Sequence, residues 1–85
     1  MATIIKVSGE KETVEPKDGK TFSLKELQKA VGGYIELLPL DDGKLMVVDE
    51  EGKLKADAQI NVEASRIANQ QIIGQVIIID KEQIE

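Results

Sequence analysis

The sequence contains neither cysteine nor histidine, and these two absences remove most of the usual catalytic chemistry. Without cysteine there is no disulfide and no thiolate nucleophile. Without histidine the chain lacks the side chain that most often transfers protons near neutral pH and most often binds transition metals. The serines and threonines therefore have no histidine to activate them. We predict that the protein is not an enzyme and needs no cofactor.

The acidic residues offer no clear metal site either. The pairs and triplets of carboxylates, Asp41-Asp42 and the "DEE" of residues 49–51, fall at predicted turns, where such groups are normally solvated. The stretch "DDGKLMVVDEEG" lacks the alternating oxygen ligands of a calcium-binding loop. We predict that the chain binds no metal.

The chain also lacks an apolar run of about 18 residues and a basic leader followed by an apolar segment. These absences predict neither a membrane span nor a signal peptide. Sixteen acidic residues against eleven basic ones give a net charge of −5, and duplex nucleic acid or an anionic membrane would repel such a chain. We expect a cytoplasmic protein with neither partner.

Aromatic residues are scarce, because Phe22 and Tyr34 are the only two. Ile, Leu and Val must therefore build the core of a single domain over residues 1–85, with a polar tail at 81–85 that we expect to fray. The last apolar run, "IIGQVIIID", needs cover on both sides, yet only one long helix is predicted. From this shortage of cover we predict a homo-oligomer.

Local signals define the elements of the first half. "ATIIKVSGEKETVEP" predicts a hairpin around Ser8-Gly9. In "SLKE", Ser23 and Glu26 form a capping box that begins a helix. Gly32 then supplies a left-handed helix end, and Gly33 allows a sharp turn into a strand.

In the second half, Asp42-Gly43 predicts a two-residue hairpin turn between "YIELLPL" and "KLMVVDE". We predict that "KLK" returns as a short strand and that Asn61 caps a short helix over "VEASRIANQ". The prediction is an α+β fold with a small mixed sheet, in the order β-β-α-β-β-(β)-α-β. One main helix would pack on this sheet as in β-grasp folds. This is an analogy in the order of elements only, and it does not predict a function.

Two residues stand out chemically. Tyr34 follows a glycine pair that leaves room for something flat, and Arg66 is the chain's sole arginine, whose planar fork can grip phosphate. Polar neighbours on the short helix extend this candidate ligand-binding set to Asn61, Ser65 and Asn69. Both residues also have structural explanations: a half-buried strand tyrosine, and a helix arginine paired with Glu63 or with an acid of the tail.

From "LKELQKAVGGYIELLPL" through "LMVVDEEGKLKADAQIN" to "IIGQVIIID", the chain resembles a family of small phage and mobile-element proteins catalogued as a domain of unknown function. The resemblance covers residues 24–80 and implies a phage or prophage setting without assigning any chemistry. It adds Glu36 to the candidate set. The motif residues that it matches here are Gly32, Gly33, Tyr34, Glu36, Asn61 and Gly74.

Three functions fit these observations. The first is an immune-evasion sponge, an oligomer that sequesters a small cyclic nucleotide signal of host defence, with Tyr34 stacking on a base and Arg66 pairing with phosphate. The second is an acidic protein that binds and inhibits a host nuclease or regulator. The third is an accessory structural phage protein with no ligand. In each case the protein would act in the host cell cytoplasm.

Overall fold

Five strands form one antiparallel sheet in the part of the chain that the computed structural model describes, residues 2–55 and 58–84. The order across the sheet is β2-β1-β5-β4-β3, so the last strand lies at the centre. Its near-continuous apolar sequence fits that place. The strands are β1 (Ala2–Ile5), β2 (Lys11–Val14), β3 (Ile35–Pro39), β4 (Lys44–Asp49) and β5 (Val76–Asp80).

Two helices cover opposite faces of the sheet. Because side chains alternate along a strand, neighbouring residues of β4 and β5 contribute to two separate buried clusters. Helix α1 (Leu24–Val31) closes the first cluster, which contains Val47, Ile77 and Ile79. Helix α2 (Val62–Ala68) closes the second through Ala64, against Met46 and Val76. The chain is therefore a three-layer α/β/α arrangement of small size.

Several local predictions are confirmed. Ser23 accepts a hydrogen bond from the Glu26 amide at 3.2 Å, and Glu26 accepts one from the Ser23 amide at 2.9 Å, which completes the capping box of α1. Gly32 ends that helix in the left-handed region with φ of 86°. Asn61 caps α2 by accepting from the Ala64 amide at 3.0 Å. Each of these signals is satisfied by groups a few residues away, which is why the sequence reveals them.

The predicted mixed sheet and its grasp-like packing are not confirmed. Every strand pair is antiparallel, and the two helices lie on opposite faces instead of one helix being held on one face. The bracketed strand at "KLK" is also wrong, because residues Gly52–Leu54 form a 3-10 helix. At Gly52 a Cβ would lie 3.2 Å from the Ile73 carbonyl oxygen, so a close approach from a distant segment shapes this turn.

The β3–β4 turn also differs from the predicted two-residue turn. Leu40 donates its amide to the Lys44 carbonyl at 2.8 Å, so three residues, Asp41 to Gly43, make the connection. Gly43 has φ of 80°, whereas a type I′ turn would also require a positive φ at Asp42, which is not observed. The glycine is needed, but at the last position of a three-residue loop.

The last described residues of the chain make contacts with the segment before α1 and with the first cluster. The predicted frayed tail spans 81–85, and residue 85 lies outside the described residues. Lys81–Gln83 form a 3-10 helix, the Gln83 carbonyl accepts from the Phe22 amide at 2.6 Å, and Ile84 packs against the first cluster. Residues 22 and 84 are too far apart in sequence for a local pattern to predict this contact.

Candidate ligand-binding groove

Helix α1 covers only part of its face of the sheet. Its main contacts are with β3, β4 and β5, whereas Ile4 and Val14 of the β1–β2 hairpin are only half-buried on the same face. Between the helix and the hairpin lies a groove of about 540 Å³. That volume is in the range of small-molecule sites, which run from roughly 300 to 1,000 Å³. We call this feature the α1 groove.

The floor of the α1 groove is apolar. Ile77 of the central strand and Phe22, just before α1, are buried at its base, and three half-buried residues complete it. An occupant of this floor would remove apolar surface from water, which favours binding by about 25 cal/mol per Å². The five apolar floor residues are Ile4, Val14, Phe22, Ala30 and Ile77.

Three lysines stand on the rim: Lys17, Lys25 and Lys29. Lys25 and Lys29 are four residues apart and so share one side of α1. Lys17 reaches the rim because its backbone amide donates to the Glu26 carboxylate at 3.0 Å, which ties the segment before the helix to the first turn. Among the ion pairs of the described residues, none involves these three lysines.

The two rim glutamates are Glu15 and Glu26, and the second is already engaged. The backbone amides of Ser23 and then Lys17 donate to the Glu26 carboxylate, and these bonds hold its pKa below the ordinary value. Ser23 is also engaged, as the cap of α1. The rim therefore carries three lysines against two glutamates, a local positive balance in a chain of net charge −5.

Tyr34 lies elsewhere, at the start of β3, with its side chain two-thirds exposed. Its carbonyl accepts from the Glu50 amide at 2.9 Å, as part of the β3–β4 pairing. The ring borders a separate hollow of about 330 Å³ that also contacts Gln28 and Lys55. A half-buried ring filling the core is therefore not what the structure contains.

The glycine pair before Tyr34 is explained by two different constraints. Gly32 has the positive φ of a left-handed helix end. Gly33 has no such φ, but a Cβ there would lie 3.2 Å from both the Asp49 carboxylate and the Lys55 ammonium. Lys55 donates to the Gly32 carbonyl at 2.9 Å and pairs with Asp49 at 2.5 Å. The second glycine thus makes room for an ion pair between the buried Asp49 carboxylate and the exposed Lys55 side chain.

Arg66 is paired within its own helix, as one of its two structural explanations predicts. Its guanidinium donates to both carboxylate oxygens of Glu63, at 3.0 and 2.6 Å, and Lys11 of β2 approaches the same carboxylate at 3.1 Å. The hydrogen bond from Arg66, followed by that from Lys11, lowers the pKa of Glu63 to about 2. The Arg66 guanidinium is therefore already hydrogen-bonded to a carboxylate in this structure.

The three polar residues of the candidate set at α2 have roles in the backbone structure of the fold. The Asn61 side chain is fully buried and donates to the carbonyls of Ile5 and Gly74 at 3.0 and 2.9 Å. The Ser65 hydroxyl accepts from the Ile72 amide at 2.8 Å. Asn69 ends α2 in the left-handed region, with φ of 57°. All three have structural roles, and any role in ligand binding stays a prediction.

The structure does not bring the predicted ligand residues together in one chain. Arg66 is linked through Glu63 to β2, one edge of the sheet, while Tyr34 and Glu36 lie at β3, the opposite edge. Glu36 is exposed on the face covered by α2, beside Gln70 and Gln71. A ligand held by both Tyr34 and Arg66 would have to bridge two protomers.

Comparison with known proteins identifies the family. The family model described as "Domain of unknown function (DUF3846)" matches residues 1–85. The chain belongs to this family. The predicted membership of a domain of unknown function is therefore confirmed. Comparisons with curated proteins and with solved structures found no match.

In this DUF3846 domain, no helix of the described residues is long and apolar enough to cross a membrane. The same part of the chain contains no cluster of three or more acidic side chains arranged to hold a metal ion. Neither finding points to a site other than the cavities described above.

The lysines of the α1 groove are not among the site residues predicted from the sequence. One signal was present, because Lys25 and Lys29 recur at helical spacing on α1. No such signal existed for Lys17, whose place on the rim depends on its amide contact with Glu26. The net charge of −5 gives no indication of a locally positive surface.

Proposed function

We propose that this DUF3846 domain is a non-enzymatic binding protein that sequesters a small cyclic nucleotide signal of host defence, in a phage or prophage setting, and that the α1 groove is its binding site. The observation that carries this proposal is the combination of an apolar floor with a lysine rim. The floor suits the flat face of a base, and the rim suits phosphate, for which the lysine ammonium is a compact point charge.

The net charge of the chain does not oppose such a ligand. At physiological ionic strength, charges on the surface are largely screened beyond about 8 Å. A phosphate at the rim would therefore respond chiefly to Lys17, Lys25 and Lys29, and to Glu15 and Glu26 beside them. Because two backbone amides already neutralise part of the Glu26 charge, the lysines outweigh the acids locally.

Binding without turnover fits the composition of the groove. Ser23 is the one lining residue with a hydroxyl, and its oxygen already accepts a hydrogen bond from the Glu26 amide. The chain has no histidine that could activate it. A protein that holds a signal without consuming it must be present in amounts comparable to the signal.

The proposal is tested by calorimetry of the purified protein against a panel of cyclic di- and trinucleotides. The double variant Lys25→Glu/Lys29→Glu should weaken binding at least about tenfold, since each lysine–phosphate contact is a charge-assisted hydrogen bond. Lys44→Glu/Lys81→Glu makes the same change of net charge outside the α1 groove and should change affinity less than about twofold. Equal losses in the two double variants would contradict a site at the groove.

Two further variants separate the groove from the site predicted from sequence. If a nucleotide instead bridges Tyr34 of one protomer and Arg66 of another, then Tyr34→Ala and Arg66→Ala should each weaken binding about tenfold, because base stacking alone contributes roughly 1–3 kcal/mol. The groove proposal expects both to bind as the wild type does. If the wild type binds no member of the panel, the nucleotide proposal fails and inhibition of a host protein becomes the leading function.

A further inference from the structure

The two edges of the sheet carry opposite kinds of residue. On β2, Lys11, Glu12 and Thr13 are all exposed, and charges of this kind discourage pairing with another strand. On β3, whose sequence is "IELLP", Glu36 is the one charged residue. With one charge and a proline only at its end, this mostly apolar edge is less protected than β2 and is a readier partner for another strand.

The register of β3 shows which of its backbone groups point outward. The Leu40 amide donates to the Lys44 carbonyl at the start of β4, the Tyr34 carbonyl accepts from the Glu50 amide just after β4, and hydrogen-bonded residues alternate along an antiparallel ladder. The amides and carbonyls of residues 34, 36, 38 and 40 therefore face β4. Those of Ile35 and Leu37 face away from the sheet, as does the carbonyl of Pro39, which has no amide hydrogen.

Apolar side chains flank this outward edge. Leu37 is 39% exposed and lies opposite Val47, so its side chain is on the face covered by α1. Leu24, 57% exposed, shares with Gln28 the side of α1 that is turned towards Tyr34 and the start of β3. Exposed leucines on two neighbouring elements form an apolar surface that continues the open strand edge.

We propose that β3 pairs antiparallel with β3 of a second copy of this chain, about a two-fold axis at Leu37. The two Leu37 residues then exchange both of their backbone hydrogen bonds, and each Ile35 amide donates to the Pro39 carbonyl of the other copy. This arrangement makes about four hydrogen bonds and places the two Leu37 side chains in contact on the α1 face. The interface is isologous and doubles the five-stranded sheet.

The sequence of β3 selects this register over its neighbours. With the axis at Glu36, the two Glu36 carboxylates would lie directly opposite each other, which is unfavourable. With the axis at Leu38, Leu37 would lie opposite Pro39, and the missing proline amides would halve the number of hydrogen bonds. With the axis at Leu37, each Glu36 lies opposite a Leu38. A second copy is therefore a better occupant than an arbitrary strand.

This interface is independent of the α1 groove, which opens beside β1 and β2 at the other end of the sheet. It also replaces the original argument for an oligomer. We had expected β5 to need cover from another subunit, but β1, β4 and both helices of the same chain surround it.

Sedimentation over about a hundredfold range of concentration tests the association itself. The wild type should approach twice the chain mass of 9.3 kDa as concentration rises. Leu37→Lys places two like charges at the axis and should remain monomeric. Thr13→Lys, the same kind of change on exposed β2, should dimerise as the wild type does. A wild type that stays at the monomer mass throughout, whether or not a host protein binds β3, would overturn the proposal.

Single cysteines test the register, because the chain has no cysteine of its own. Directly opposed hydrogen-bonded residues have Cα atoms about 5.5 Å apart, within the span of a disulfide. Leu37→Cys should therefore give a covalent dimer under mild oxidation. Thr13→Cys should not, and neither should Glu36→Cys, because its two copies would be about 7–8 Å apart on a diagonal. Faster cross-linking of Glu36→Cys than of Leu37→Cys would overturn the proposed axis.

Discussion

The two helices cover the two faces of the sheet in different ways. Helix α2 is joined to the sheet by polar side chains. Asn61 and Ser65 form hydrogen bonds with the backbone of β1 and of the segment before β5. Helix α1 is held chiefly by apolar contacts of Leu27 and Val31, and it leaves part of its face open. The polar residues that draw attention in the sequence thus stabilise one face, while less conspicuous lysines line the groove on the other.

The difference shows why residue type alone is a poor guide to a site. A buried asparagine with three satisfied hydrogen bonds has little left to offer a ligand. A rim lysine without an ion pair among the described residues retains all of its donors. The availability of a group therefore depends on its partners in the fold.

Removing the N-cap of each helix tests most directly whether polar side chains stabilise α2 more than α1. Asn61→Ala would remove the side-chain donor from the carbonyls of Ile5 and Gly74 and leave the buried amide of Ala64 without its cap, so we expect it to lower the free energy of unfolding by about 3 kcal/mol. Ser23→Ala removes a half-buried cap and should cost about 1 kcal/mol. Urea unfolding measures both, and similar losses would show that α2 is not specially pinned.

The C-terminal ends of the helices give a smaller contrast. Gly32→Val should lower the free energy of unfolding by about 1–2 kcal/mol, because a β-branched residue resists a φ of 86°. Lack of space is not the cause, since a Cβ at Gly32 would meet nothing closer than Lys55 Nζ at 3.9 Å. Asn69→Gly at the end of α2 should stay within a few tenths of a kcal/mol. Thermal unfolding of both variants checks this, and an unchanged melting temperature for Gly32→Val would contradict our explanation of the first glycine.

How much of this the sequence predicts depends on how far apart the interacting residues are. The capping box at Ser23, the stop at Gly32 and the cap at Asn61 involve neighbours within four residues, and all three were predicted. The partners of the Asn61 side-chain amide, Ile5 and Gly74, are 56 and 13 residues away. The helix cap was therefore visible in the sequence, whereas its larger role in joining α2 to the sheet was not.

The same limit explains the errors. Strand direction depends on which strands meet, and no local pattern states that β5 lies between β1 and β4. The 3-10 helix at Gly52–Leu54 depends on a close approach to Ile73. The α1 groove exists because a helix of eight residues is too narrow to cover five strands. None of these can be derived from composition or periodicity.

The smallest expected effect concerns one glutamate on each helix and their response to acid. Arg66 and Lys11 lower the pKa of Glu63 from 4.5 to about 2, so the stability that this group contributes is complete above pH 4.5 and is lost as the pH falls through 2. Glu63→Gln should therefore unfold more easily than the wild type at neutral pH, and the difference should shrink between pH 4.5 and 2. The change should be small because Arg66 and Lys11 are largely exposed.

Glu26→Gln on α1 should lower the free energy of unfolding by less than Glu63→Gln does at neutral pH, since glutamine also serves in a capping box. Urea midpoints at several pH values measure both variants, and a difference for Glu63→Gln that is constant with pH would show that the ion pair with Arg66 and Lys11 does not stabilise α2.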